Sequence, residues 1–165
     1  MAGLCGGSRC GCAITGGAIS GSGSAADPYV VSGAAGVVGY AQVTEDQTSI
    51  TTIADLTGLA VTFTAVAGRR YKVTGHVNLI AIGATVSEAR LSLRAGSTVL
   101  GSSYRSSVIT WARTVVPLSY SNNASISGSR TWKLSLDNGG SSNSLALKAS
   151  STSPGFLLVE DIGEL

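Results

Sequence analysis

The stretch Leu59-Ala60-Val61-Thr62-Phe63-Thr64-Ala65-Val66 alternates without a break. Leu59, Val61, Phe63 and Ala65 fall on one side of an extended chain, and Ala60, Thr62 and Thr64 fall on the other. A period of two built from β-branched, aromatic and small residues is the pattern of a half-buried strand. Ala67-Gly68-Arg69-Arg70 follows and reads as a turn, with its two arginines at a solvated tip. The next run, 71–82, places Tyr71, Val73, Val77 and Leu79 on one face. Its other face carries Lys72, Thr74, His76 and Asn78 and then turns apolar at Ile80 and Ile82. A strand that is apolar on both faces over 77–82 suggests one face for a core and one for a neighbouring subunit.

The same alternation extends in both directions. Run 37–43 precedes it. Run 88–94 sets Ala89, Leu91 and Leu93 against Arg90, Ser92 and Arg94. Runs 98–105 and 108–118 follow, and 130–136 places Trp132, Leu134 and Leu136 opposite Thr131, Lys133 and Ser135. Runs 144–149 and 155–162 end the series. About eight to ten strands separated by Gly, Ser, Asn and Asp clusters predict an antiparallel sandwich or barrel. Segment 49–56 is the one place for a helical turn. Segments 121–129 and 138–143 read as loops, the second as a hairpin connection. No strand pattern recurs at a fixed period, which excludes a solenoid or propeller.

Residues 1–36 differ from 37–165. Gly, Ser and Ala dominate them, and their charges are Arg9 and Asp27. Such a segment buries no core of its own, and it reads as an extended, mostly irregular arm. Only Asp27-Pro28-Tyr29-Val30-Val31 joins a turn signal to a β-prone run, which suits docking onto something else. Residues 37–165 form the β domain. Its core must be built from Val, Leu, Ile and Ala, because aromatics are only 5% of the chain.

Composition narrows the function. The formal charge of +2 is too small for a binder of phosphate backbones. With 44% hydrophobic and 12% charged residues, the chain is no disordered tail. The start MAGLCGGSRCGCAITGG lacks the apolar core of a secretory signal, and no apolar run approaches a membrane span. A mean hydropathy of +0.32 without a membrane segment predicts surface buried against partners.

Little catalytic material is present. His76 is the single histidine and lies on the polar side of its run, with no argument for a triad. Asp55, Glu88 and Asp137 form no evident carboxylate pair of the kind glycoside hydrolysis needs. No enzyme activity and no cofactor are expected. Glu160, Asp161 and Glu164 cluster near the end, as a cation site, a solvated terminus or ion pairs across a subunit boundary. Trp132 is expected in or near the core, and Trp111, beside Arg113, on a partly open face. Cys5, Cys10 and Cys12 follow C-x4-C-x-C, which is no standard zinc spacing. Small buried or free thiols, interchain disulfides, and a metal pooled between chains all stand open.

Ile19-Ser20-Gly21-Ser22-Gly23-Ser24-Ala25-Ala26-Asp27-Pro28-Tyr29-Val30-Val31 resembles the GSGT-x-x-DPYVI segment of phage tail and fibre proteins, where it often follows a Cys-Gly-Cys start, here Cys10-Gly11-Cys12. Gly68-Arg69-Arg70-Tyr71-Lys72-Val73-Thr74-Gly75 and Pro154-Gly155-Phe156-Leu157-Leu158-Val159-Glu160-Asp161-Ile162-Gly163 resemble minor tail proteins of actinobacterial phages. Ser153-Pro154-Gly155-Phe156 also resembles the closing strand of complement-type and tumour-necrosis-factor-like jelly rolls, without their usual first aromatic. The resemblance implies a jelly-roll sandwich that forms a homotrimeric knob on a virion. It implies an arm that attaches to other tail or capsid proteins through Asp27, Pro28, Tyr29 and Val30. A minor tail or short tail-fibre protein is the leading expectation, made in the host cytoplasm and displayed on the particle. Host attachment, with a cell-surface glycan as partner, would use Arg105, Trp111 and Asn122. A capsid decoration protein or head fibre is the alternative, and a soluble carbohydrate-binding module a more distant one.

Overall fold

The computed structural model describes residues 18–20, 30–32, 36–110, 112–122 and 124–165. The chain divides into Met1–Ala35 and Gly36–Leu165. In the first unit, strand β1 (Ala18–Ser20) pairs antiparallel with β2 (Val30–Ser32), with Ile19 opposite Val31. The β-prone run after Pro28 supplies β2.

The second unit is all-β, with no helix among the described residues. Its strands are β3 (Gly36–Val43), β4 (Gln47–Ile50), β5 (Ala54–Ala65), β6 (Arg69–Ile82), β7 (Val86–Ala95), β8 (Thr98–Val108), β9 (Thr114–Ser121), β10 (Gly128–Asp137), β11 (Ser144–Leu147) and β12 (Gly155–Glu164). One antiparallel sheet has the order β5-β10-β7-β8, and the other the order β3-β12-β6-β11-β4, with β9 also on β6.

The registers simplify this picture. β12 and β11 both pair antiparallel with β6, opposite Arg69–His76 and Leu79–Ile82 in turn. They lie in series, as one strand interrupted at 148–154. β3 and β4 flank them in the same way, as one outer strand interrupted at 44–46. Eight strands therefore make two sheets of four. In chain order, the first, eighth, third and sixth form one sheet, and the second, seventh, fourth and fifth the other. That alternation of neighbours between two sheets is a jelly roll.

Two polar side chains hold the interruptions. Asn78 on β6 faces the gap between β11 and β12. Its carbonyl accepts the Lys148 N–H at 2.8 Å, and its Nδ2 donates to Ser153 Oγ at 3.0 Å. Asp46, in the gap of the outer strand, pairs with Lys148 and accepts the Ala149 N–H at 3.0 Å. Buried polar groups need such partners, which explains why a sheet can break here without exposing bare backbone.

The core lies between the sheets. Leu59, Val61, Phe63 and Ala65 of β5 are buried as the alternation predicts, and so are Tyr71, Val73, Val77 and Leu79 of β6. Trp132 is buried too, in the core as expected. Phe63 packs 4.9 Å from Trp132 and 5.1 Å from Tyr71, in edge and tilted geometries that aromatic quadrupoles favour.

Four expectations are corrected. Segment 49–56 holds no helical turn: Ile50 pairs with Leu145 in the sheet, and Leu56 is buried from β5. Segment 138–143 is no hairpin, because β10 and β11 belong to different sheets. Asn138 holds that crossover, donating from Nδ2 to the carbonyls of Ser141 at 2.7 Å and Asn143 at 2.8 Å. Arg69 is no solvated tip: the turn is made by Gly68 at φ 79°, and Arg69 is buried at the start of β6. Its partner is Asp161, so that acid forms an ion pair within the chain rather than a free cluster or a bond across subunits.

Candidate functional site

The outer faces of the two sheets differ in chemistry. On the β5-β10-β7-β8 sheet the outward side chains satisfy one another. Thr62 and Thr131 hydroxyls meet at 2.8 Å, and Ser92 and Ser102 at 2.9 Å. Asp55 takes Lys133, the Ser135 hydroxyl at 2.6 Å and Arg94 at 3.4 Å. Arg90 pairs with Asp137 at 2.5 Å, and its guanidinium lies 6.0 Å from the Tyr104 ring. The polar side chains of this face are largely paired, and Tyr104 and Val99 stand exposed among them.

Burial opposes ionisation of the Asp55 carboxyl, but hydrogen bonds from Lys133 and Ser135 and the nearby cations outweigh it and hold the group below its ordinary value. The Lys148 and Ala149 hydrogen bonds hold Asp46 low in the same way. These acids serve as counterions. No group of three or more His, Cys, Asp or Glu side chains lies together among the described residues.

The opposite sheet presents an apolar outer face. Alternation along β3, β12, β6 and β9 turns Tyr40, Phe156, Leu158, His76, Val115 and Pro117 outward, with Gln42, Thr74 and Ser119 among them, opposite the buried Leu157, Val159, Val73, Val77 and Val116. Register places Tyr40 beside Leu158 and sets His76 between Phe156 and Pro117. His76 stacks edge-on against Phe156 at 4.5 Å, and Tyr40 lies 6.2 Å from the same ring. The three rings form a line across three strands. Tyr40 is 54% exposed and Val115 47%. Lys72 and Glu160, 3.9 Å apart, stand beside this patch. Exposed and half-buried aromatic and aliphatic side chains next to polar ones are compatible with a protein interface.

This face was only partly legible. The sequence pointed to the outward side of 77–82, and Ile82 is indeed exposed there. The larger part comes from Tyr40 and Phe156, on the first and last strands of the domain. The signal was present in Phe156-Leu157-Leu158-Val159, which is apolar on both faces.

Of the sequence-derived contact residues, Arg105 and Asn122 are described, and they sit in different settings. Arg105 lies on exposed β8, where its Nε donates to the Val115 carbonyl at 3.0 Å. Asn122 is corrected: it is 3% exposed, and its polar atoms are spent on bonds within the chain. Its Oδ1 accepts the Tyr71 N–H, its own N–H donates to the Tyr71 carbonyl at 3.1 Å, and its Nδ2 donates to the Ala124 carbonyl at 2.7 Å. The side chain continues the β6–β9 ladder one step past the strand end. Cys5, Cys10, Cys12, Asp27, Pro28, Tyr29 and Trp111 lie outside the described residues, and Val30 is described only as backbone of β2.

No family model matches the chain, and no curated protein matches it. Solved structures do match, two of them as follows. An Eiger TNF from S. frugiperda matches at 15% identity over 79% of this chain and 92% of that one, with a TM-score of 0.36. A carbohydrate-binding module, CBM36 in complex with calcium and xylotriose, matches at 18% identity over 72% and 98%, with a TM-score of 0.34. The strand order, rather than these likenesses, makes the domain a jelly roll.

Proposed function

We propose that this chain is a structural protein of a phage particle, a homotrimeric surface knob carried by an N-terminal arm. Two sequence features support the virion reading: the Gly-Ser-rich segment ending in Asp27-Pro28-Tyr29-Val30, and the closing run 154–163. The single observation that carries the assembly is the line of rings Tyr40, Phe156 and His76 on one outer face, set against an outer face on the other sheet that holds three ion pairs. Cyclic association of three copies would bury the first and leave the second in water. The arm, 1–36, attaches the knob to other virion proteins of the tail, and the knob serves host attachment. The protein is not an enzyme in this reading: Asp46, Asp55, Asp137 and Asp161 are each committed to a cation.

The test is the mass in solution of the full chain and of residues 37–165, by light scattering. A trimer in both supports the knob. A trimer lost with the arm would move assembly to residues 1–36, and a monomer in both would overturn the reading.

A further inference from the structure

A cleft of about 460 Å3 opens between the sheets where β7 turns into β8, β9 ends and β10 begins. Ala95, Leu100, Tyr120, Ile126 and Trp132 form its apolar wall, Ser121 and Asn122 lie at one side, and Arg130 stands among them. Its size lies in the range of small-molecule sites, roughly 300–1,000 Å3. Its aromatic wall is packed. Tyr120 and Trp132 meet edge-to-face at 6.1 Å. Tyr120 packs on Gly101, where a Cβ would lie 3.1 Å from the ring.

Arg130 is the unusual member. Residues 130, 132 and 134 of β10 share the inward face by the period of two, and Trp132 and Leu134 are buried core. Arg130 occupies the next inward place, at the open end of the sandwich, and is exposed. Among the described residues no carboxylate pairs with it, as none pairs with Arg70, Arg105 or Arg113, whereas Arg69, Arg90 and Arg94 each have one. An arginine at such a place lays its stem along the apolar wall and holds its planar fork at the rim.

We propose that this cleft binds a small molecule with a flat apolar body and one carboxylate. The body would fill the space against Leu100, Ile126 and Trp132, and the carboxylate would pair with the Arg130 guanidinium. A single cation does not suit a polyanion such as a nucleotide, and a mostly apolar wall favours a ligand with an apolar body over a glycan. The site uses the inside of the sandwich and does not depend on the subunit interface proposed above.

Calorimetric titration of the full chain with 2-naphthoate and with uncharged 2-naphthamide tests this. One saturable naphthoate site per chain is expected. Arg130→Gln should weaken naphthoate by about tenfold, the scale of a hydrogen-bonded charge pair, and leave naphthamide binding unchanged. Leu100→Trp, which fills the cleft, should abolish both with the circular dichroism spectrum retained. No saturable naphthoate binding, or equal naphthoate affinity in Arg130→Gln, would overturn the proposal.

Discussion

Arg69 and Asp161 form a buried ion pair that joins the first residue of β6 to the far part of β12. The Arg69 Nε lies 3.1 and 2.9 Å from the two carboxylate oxygens, and Nη2 lies 2.8 Å from Oδ1. Each side chain is only 9% exposed. The pair sits where two central strands of one sheet meet, at the edge of the core. Charges taken this far from water are tolerated only together.

Asp161→Asn should therefore destabilise the domain by about 3 kcal/mol, because it leaves the arginine buried and uncompensated. Arg69→Met combined with Asp161→Leu should recover most of that loss. Urea unfolding of the two variants checks both expectations.

The Asn122 side chain predicts a second loss. Asn122→Ala removes the acceptor for the buried Tyr71 N–H and the donor to Ala124. The cost should be about 2 kcal/mol, that of orphaning a buried polar group. A variant within about 0.5 kcal/mol of wild type, the usual range for surface substitutions, would mean that Asn122 does not clamp this strand end.

Gly39 on β3 faces Val61 across the sandwich so closely that an added Cβ would overlap Val61 Cγ1. Gly39→Ala should cost about 1–3 kcal/mol by overpacking. Adding Val61→Ala should restore part of it. Thermal melts of the single and double variants measure the coupling.

Acid should weaken the domain through Asp55 and Asp46. Both carboxyls are held below their ordinary value of 3.8 in the folded chain. The unfolded chain therefore binds protons first as pH falls, and stability rises with pH across this window. The stabilisation is full above about pH 5 and is lost as pH drops through 3.8 towards the lowered folded values. The urea midpoint should fall between pH 5 and pH 2.5, and Asp55→Asn should make that fall shallower. An equally steep fall in Asp55→Asn would remove Asp55 from the account.

Strands with one wet and one dry face were legible in the sequence, because alternation is local. Leu59 to Ala65 and Trp132 to Leu136 show it directly. What alternation does not encode is which strand lies beside which. The crossover at Asn138 looked like a hairpin for that reason: Asn-Gly-Gly is good turn chemistry whether the chain returns to its own sheet or passes to the other. Arg69 looked solvated because its counter-charge lies far away in sequence, at Asp161. Asn122 looked like surface because its partner, the Tyr71 backbone, is supplied only by tertiary pairing. The apolar outer face was half visible for the same reason. Tyr40 and Phe156 come from opposite ends of the domain and become neighbours only through the β3–β12 register.

The central claim is that the Tyr40–Phe156–His76 face is buried between copies. The most direct measurement is the light-scattering mass of the full chain beside that of Tyr40→Asp/Phe156→Asp, which charges the outward surface of β3 and β12 and leaves the core untouched. A wild-type mass three times the 16.5 kDa of one chain, falling to 16.5 kDa in a still-folded variant, is the predicted result. A wild-type monomer, or a trimer unchanged by the two aspartates, would contradict the account.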